Sequence, residues 1–140
     1  MAKFKVYLHK CVKFNIRGNY IEFIDCIFLG VWFLTLKIGS KYKDFLKTSA
    51  SVEFLEGTTS AGKTTIGVIK FMLKVAESSK KLHILSGLDL GTIEKNIINK
   101  DLGIKDIFGS LVEYNPRGKG ENTLPHIVFK DKIIYVLGYD

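Results

Sequence analysis

The sequence predicts an α/β domain in which helices flank a parallel β-sheet, with a β-hairpin near the C-terminus. Two observations predict this class. From residue 52 onward the chain reads as strand, loop, helix, strand, helix, which is the order of a parallel α/β sheet. Near the C-terminus, two apolar runs flank the polar residues 130–132, which is typical of a hairpin.

Length and composition are those of one ordinary globular domain: 140 residues, of which 46% are apolar and 25% charged. The formal net charge is +7 and the sequence pI about 9.4. Such a balance favours polyanionic partners such as nucleic acid, nucleotides or anionic lipid, or reflects a solvated lysine-rich surface. Cys11 and Cys26 lie in no C-x-x-C pair, so neither a zinc site nor a disulfide framework is expected and a reducing cytoplasm fits.

Residues 1–38 form an atypical apolar N-terminal segment that is rich in aromatic and β-branched residues without a helical period. The pattern is compatible with strands or with a poorly specified apolar segment. Its uncharged run, residues 26–36, is too short to span a bilayer, because a membrane helix needs about 20 residues. We expect a buried strand or helix there and no membrane partner. Residues 39–140 are expected to form the remaining domain, starting with a short helix at 42–46.

The elements after residue 51 follow from local patterns. Residues 52–56 alternate apolar and acidic residues, as a short strand does. Residues 63–76 carry Ile66, Ile69, Leu73 and Ala76 at helical spacing. The next elements are expected to be a strand, a helix capped by Asp89 or Thr92, a short strand, a basic turn and the two hairpin strands, at residues 81–86, 92–98, within 106–114, 116–120, 126–129 and 133–138.

The loop between the first strand and helix matches the phosphate-binding pattern G-x-x-x-x-G-K-[ST] in full. Its residues are Gly57, Thr58, Thr59, Ser60, Ala61, Gly62, Lys63 and Thr64, followed by Thr65. Average residue frequencies give such a match by chance in roughly half a percent of chains of this length. The position between a strand and an amphipathic helix also fits a phosphate-binding loop.

The chemistry of a triphosphate explains this spacing. Glycines 57 and 62 let the backbone approach the phosphates closely, and successive N–H groups form an anion-binding nest. The helix that begins near Lys63 adds unpaired N–H groups and the positive end of its dipole. The Lys63 ammonium is predicted to reach the β- and γ-phosphates as the catalytic residue, and the Thr64 hydroxyl to take one Mg²⁺ position. ATP and Mg²⁺ are therefore the expected cofactors.

Residues 39–140 resemble the ATPase part of phage terminase large subunits, of the group found in temperate and defective phages of Gram-positive bacteria. Three stretches carry the resemblance: residues 39–45 with 52–65, residues 83–96 and residues 134–140. The resemblance implies a P-loop NTPase that hydrolyses ATP to drive double-stranded DNA into a procapsid. It implies a small terminase subunit and a portal protein as partners, a possible homo-oligomer in the full-length form, and a phage-encoded protein in the bacterial host cytoplasm.

Two departures from that pattern lead us to expect an incomplete domain with little ATP turnover. The family's apolar strand ending in acidic residues has no clear counterpart; residues 133–139 with Asp140 resemble it only loosely. Residues 1–38 also differ from the usual start of the family. The alternatives are another P-loop NTPase, such as a helicase-like ATPase, and a nucleotide- or DNA-binding remnant without catalysis.

Other polar residues give weaker signals. Arg117, in the basic turn, could contact DNA phosphate or a neighbour's nucleotide, although a solvated turn explains it as well. Glu94 and Lys95 are expected to face solvent. The histidines are scattered and are expected to be structural: His9, His83 and His126.

Overall fold

The structure, a computed structural model, describes residues 12–17, 20–25, 32–58 and 62–139. The chain divides into two compact units, Met1–Phe54 and Leu55–Asp140. Within the described ranges, no helix is long and apolar enough to cross a membrane. The sequence predicts a different boundary, after residue 38, between the atypical N-terminal segment and the expected ATPase part. That boundary stays a prediction.

The first unit contains a three-stranded antiparallel sheet. Its strands, in both chain and spatial order, are β1 (Val12–Arg17), β2 (Tyr20–Asp25) and β3 (Trp32–Lys37). The sequence of β1 alternates apolar and polar residues, which is a pattern typical of strands. Of the two interpretations of this segment, strands are therefore correct for these ranges. Residues 26–31 of the uncharged run lie outside the described part of the chain.

A short helix, α1 (Ser40–Lys47), follows the sheet and confirms the helix predicted at 42–46. It ends where the Thr48 N–H donates to the Asp44 carbonyl oxygen and the Thr48 hydroxyl donates to the Phe45 carbonyl oxygen. None of its residues is buried. The lysines of this helix therefore lie on an accessible surface.

The prediction of a strand at residues 52–56 is wrong. These residues belong to no strand, Val52 lies in a bend, and Val52 and Phe54 are 68% and 90% exposed. Alternation produces a strand only where a neighbouring strand takes up its N–H and C=O groups. No strand in the described ranges pairs with this segment.

The second unit begins with the long helix α2 (Lys63–Glu77), which confirms the predicted helix. The elements after it alternate short helices and strands. In order they are β4 (Leu82–Gly87), α3 (Leu90–Ile93) continuing as a π-helical segment (Glu94–Ile98), α4 (Ile104–Phe108), a 3₁₀ turn (Gly109–Leu111), β5 (Val112–Asn115), β6 (His126–Phe129) and β7 (Lys132–Gly138).

These elements match most of the sequence predictions. Strand β4 and the β6–β7 hairpin lie where the pattern placed them. Asp89 is the cap of α3, since its carboxylate accepts a hydrogen bond from the Thr92 N–H at 2.6 Å. The hydrogen bonds from Thr92 lower the pKa of Asp89, so the cap stays ionised to more acidic pH.

The second sheet is open, four-stranded and mixed, with the order β4-β7-β6-β5. Only β4 and β7 run parallel, from Leu82 beside Ile133 to Gly87 beside Gly138. The prediction of a parallel sheet therefore holds for the β4–β7 pair, and the predicted hairpin accounts for the antiparallel β6–β7 pair. The antiparallel pairing of β5 with β6 is the part that differs from the prediction. The two residues between β6 and β7 explain one antiparallel pair, because so short a connection can only reverse the chain.

One core holds the second unit together. The sheet contributes Ile127, Phe129, Ile134 and Val136, all at most 1% exposed. Phe108 of α4 packs edge-to-face on Phe129, with ring centroids 5.9 Å apart. Each such side chain stabilises the fold by about 1.5–3 kcal/mol when fully buried. Helix α2 and the short helices supply the rest: Ile66, Ile69, Met72, Val75, Ala76, Ile93, Ile98, Ile104 and Ile107.

The C-terminal end of α2 is tied to the start of β7. The Lys132 side chain is 6% exposed, and its ammonium donates a 2.6 Å hydrogen bond to the Ser78 carbonyl oxygen, just after the helix. A cation is favourable there because the carbonyl groups give a helix C-terminus a partial negative charge. The first residue of α2 lies about 20 Å away along the helix axis, at 1.5 Å per residue. The start of α2 is thus at the end of the helix remote from Lys132.

Candidate phosphate-binding loop

The helix after the glycine-rich loop starts sharply. Gly62 takes a left-handed conformation, with φ of 75°, and α2 begins at Lys63. The first hydrogen bond inside the helix joins the Ile66 N–H to the Gly62 carbonyl oxygen at 3.0 Å. The amide groups of residues 63–65 therefore have no partner within the helix, as at any helix N-terminus. They carry the positive end of the helix dipole, which favours an anion.

The Lys63 side chain reaches back to the beginning of the loop. Its ammonium donates hydrogen bonds to the Gly57 carbonyl oxygen, at 2.7 Å, and to the Thr58 carbonyl oxygen. Gly57 lies six positions before Lys63, so these bonds close the loop into a ring. An ammonium has three N–H donors. Its positive charge therefore lies between the first residues of the loop and the start of α2.

Gly57 has a backbone conformation that side chains disfavour, with φ of 155°. A Cβ atom placed on it would lie 3.6 Å from the Lys63 Cδ atom and 3.9 Å from the ammonium nitrogen. Both are ordinary contact distances, so the backbone conformation, and not a lack of space, is what favours glycine at this position. This agrees with the sequence argument that glycine is needed where the chain turns tightly.

The residues before the loop also contact the helix. A Cβ atom placed on Gly67, in the second turn of α2, would lie only 3.1 Å from the Leu55 Cδ1 atom. Leu55 therefore packs directly against the helix backbone. Contacts on both sides of the loop, through Leu55 and Lys63, hold its beginning close to the first turns of α2.

The loop and the start of the helix are accessible. Gly57, Thr58, Gly62 and Thr64 are exposed, and Lys63 is half-buried. Thr64 is the second residue of α2, and an exposed hydroxyl at that position suits a Mg²⁺–triphosphate. Mg²⁺ takes few protein ligands and completes its shell with phosphates and water. In the described ranges there is no group of three or more His, Cys, Asp or Glu residues that could hold a metal by itself.

The structure describes six of the nine predicted site residues. It brings Lys63 into contact with Gly57 and Thr58, and Gly62, Thr64 and Thr65 lie next to Lys63 at the start of α2. The middle of the loop lies outside the described ranges: Thr59, Ser60 and Ala61. The roles assigned to all nine residues, and to ATP and Mg²⁺, stay predictions.

The secondary candidates lie elsewhere. Arg117 is exposed, on the connection between β5 and β6. The His83 ring lies 3.1 Å from the Lys80 carbonyl oxygen, and the buried His126 lies 2.8 Å from the Leu124 carbonyl oxygen. Both contacts are of the structural kind expected. His9 and Asp140 lie outside the part of the chain that the structure describes.

Sequence reasoning missed one contact of the core. The Tyr114 hydroxyl donates a 2.6 Å hydrogen bond to a Glu94 carboxylate oxygen, joining β5 to the π-helical segment. The expectation that Glu94 simply faces solvent is therefore wrong. Burial, together with the hydrogen bond and charge of Glu94, raises the pKa of Tyr114. No local pattern joins residues 20 positions apart, so the sequence held no signal for this pair.

The second unit is thus an α/β unit with an open mixed sheet and a helix that opens with a glycine–lysine loop. Comparison of the chain with protein-family models, curated proteins and solved structures gives no match in any of the three.

Proposed function

We propose that the loop of residues 57–65 binds the phosphates of a nucleoside triphosphate, with ATP and Mg²⁺ as the ligand. The observation that carries the proposal is the position of the Lys63 ammonium. It lies against the first carbonyl groups of the loop, at the start of a helix whose first amides have no intrahelical partner. Cation, amides and helix dipole all favour an anion at the same place.

The residues present fit this ligand. The backbone amides of residues 62–65 would hold the phosphate oxygens, and the Lys63 ammonium would offset the charge of the β- and γ-phosphates. The Thr64 hydroxyl would occupy one position of a Mg²⁺ ion, which neutralises further phosphate charge when bound. The exposure of Thr64 leaves its hydroxyl accessible to a hydrated ion.

We further propose that this loop belongs to the ATPase part of a phage DNA-packaging terminase large subunit. The proposal rests on the resemblance described above, which three stretches of residues 39–140 carry, and on the net charge of +7, which suits double-stranded DNA as a partner. A small terminase subunit, a portal protein and the bacterial host cytoplasm belong to the same proposal. The rate of ATP hydrolysis by this chain is expected to be low.

Binding of Mg²⁺–ATP, measured by isothermal titration calorimetry, tests the first proposal. The purified chain is compared with Lys63→Ala and with Lys74→Ala, which removes the same charge from an exposed position on the same helix. We expect Lys63→Ala to weaken binding at least tenfold, about 1.4 kcal/mol, and Lys74→Ala to leave it unchanged. Equal affinities of all three proteins would refute a role of the loop.

Assays with DNA test the terminase proposal separately. ATP hydrolysis and mobility shifts are measured with linear double-stranded DNA, at a series of salt concentrations. Binding of DNA that weakens steeply with salt is expected, because lysine–phosphate contacts release counterions. Nucleotide binding without any DNA binding would retain the loop proposal and reject the terminase one.

A further inference from the structure

The edge of the second sheet formed by β4 is open among the described strands. The Lys81 carbonyl oxygen accepts a hydrogen bond from the Ile133 N–H at 2.8 Å, so it points toward β7. Backbone groups alternate in direction along a strand. The N–H and C=O groups of Leu82, Ile84 and Ser86 therefore point away from β7, toward the open edge.

Strand β4 lacks the features by which proteins usually protect an open edge. Such edges commonly carry lysine, proline or a bulge that prevents pairing with another chain. The six residues of β4, LHILSG, contain no lysine, no proline and no formal charge. Leu82 and Ile84 are each 61% exposed, and Leu88, just after the strand, is 75% exposed. An uncharged edge with exposed leucine and isoleucine in so basic a chain is suited to pairing.

We propose that β4 pairs antiparallel with β4 of a second copy of this chain, joining the two four-stranded sheets into one. A twofold axis relates the copies, so every contact occurs twice. An uncharged strand meets its own copy without placing like charges opposite each other, which an edge with lysines would do. This inference is independent of nucleotide binding by the loop.

The side chains select the register. In a continuous sheet, two residues opposite each other on neighbouring strands carry their side chains on the same face. A shift of the pairing register by one residue would place these side chains on opposite faces. The two same-face registers with the most overlap are centred on Ile84 or on Leu85. With Leu85 opposite its own copy, Ile84 faces Ser86 of the second copy, and Leu82 faces Leu88.

Charge favours the register centred on Leu85. It brings the exposed Lys81, just before β4, to the end of the second copy's β4 that Asp89 follows, so opposite charges flank both ends of the paired strands. The Asp89 backbone is itself extended, with φ of −144° and ψ of 159°, and follows a bend at Leu88. The register centred on Ile84 instead places Lys81 opposite Gly87 and Asp89 opposite Ser79. Opposite charges that face each other across strands stabilise the pair.

Sedimentation velocity over a hundredfold range of protein concentration tests the pairing. Wild type is compared with Ile84→Lys, which places an ammonium on the exposed face of the edge, and with Leu124→Lys, a matched change at an exposed leucine on the β5–β6 connection. We expect a concentration-dependent dimer for wild type and Leu124→Lys. For Ile84→Lys the dimer dissociation constant should rise at least about tenfold. Circular dichroism checks that the variants fold.

A wild type that stays monomeric throughout, or an Ile84→Lys variant that dimerises like wild type, would overturn the proposal. Disulfide formation tests the register in a background with Cys11→Ser and Cys26→Ser. A mixture of Ile84→Cys and Ser86→Cys copies should cross-link into a heterodimer. Cross-linking of Ile84→Cys copies alone, more strongly than the mixture, would contradict the register centred on Leu85.

Discussion

The ammonium of Lys63 and the carbonyl oxygen of Gly57 lie 2.7 Å apart and join the two ends of the glycine-rich loop. The same ammonium that would offset phosphate charge thus also holds the loop closed. Substitution of Lys63 therefore changes loop geometry as well as charge. A test of the loop should include a change that alters its geometry and leaves the lysine in place.

Gly57→Ala is such a change. We expect Mg²⁺–ATP to bind about tenfold more weakly, because a side chain at φ of 155° costs roughly 1–3 kcal/mol and the loop would shift to relieve that strain. Gly39→Ala is the control, since its φ is −69° and an added Cβ meets nothing within 4 Å. Titration calorimetry gives both affinities. Unchanged binding by Gly57→Ala would show that the loop tolerates a side chain there.

The Lys132–Ser78 hydrogen bond predicts a stability effect far from the loop. Lys132→Met keeps most of the buried side chain but removes the ammonium donor, so the free energy of unfolding should fall by about 1–3 kcal/mol. Urea unfolding followed by circular dichroism measures it. Lys105→Met, at an exposed position of α4, should change stability by at most about 0.5 kcal/mol. Equal losses in both variants would argue against the buried contact.

Two glycines of the β5–β6 connection form a matched pair. Both have positive φ, 76° for Gly118 and 62° for Gly120, so alanine at either costs about 1–2 kcal/mol. The two positions differ in the room available for a Cβ atom. A Cβ on Gly118 would lie 2.1 Å from the Asn122 carbonyl oxygen, whereas a Cβ on Gly120 meets nothing within 4 Å.

Gly118→Ala is therefore expected to destabilise the chain more than Gly120→Ala does. The free energy of unfolding of Gly118→Ala should fall by roughly 3 kcal/mol or more in total. Thermal unfolding of the two variants beside wild type gives the comparison. Similar losses would mean that the connection can shift away from the Asn122 carbonyl at little cost.

The parts of the fold that sequence predicts are those with a strong local period. The apolar spacing from Ile66 to Ala76 predicts α2, because one face of an isolated helix already distinguishes buried from exposed residues. The polar residues 130–132 predict the β6–β7 hairpin for the same local reason. The loop motif likewise predicts that a helix begins near Lys63, and α2 begins at that residue.

The sequence does not predict features of the fold that depend on contact with another strand, helix or loop. Residues 52–56 have the alternation of a strand, yet pairing is decided by whether another strand lies alongside. The mixed direction of the sheet, with β7 between β4 and β6, depends on the path of a chain of more than forty residues. The folded-back Lys63 is also a property of the closed loop, which the motif alone does not describe.

The Tyr114–Glu94 pair predicts a dependence of stability on alkaline pH. Near pH 8, Tyr114→Phe should lower the free energy of unfolding by about 1–2 kcal/mol, because a partly buried hydrogen bond to a carboxylate is lost. Glu94 and burial raise the pKa of Tyr114 in the folded state above its ordinary value of about 10. The folded protein therefore retains the phenolic proton when the unfolded chain has lost it.

A raised folded-state pKa gives stability that is complete below the unfolded pKa and declines as pH rises above it. Wild type should thus lose stability above about pH 10 relative to Tyr114→Phe, and the difference between the two should narrow. Urea unfolding at a series of pH values from about 8 to 11 measures it. A difference that stays constant across that range would mean that Tyr114 ionises equally in both states, and that its hydroxyl is not held by Glu94 in solution.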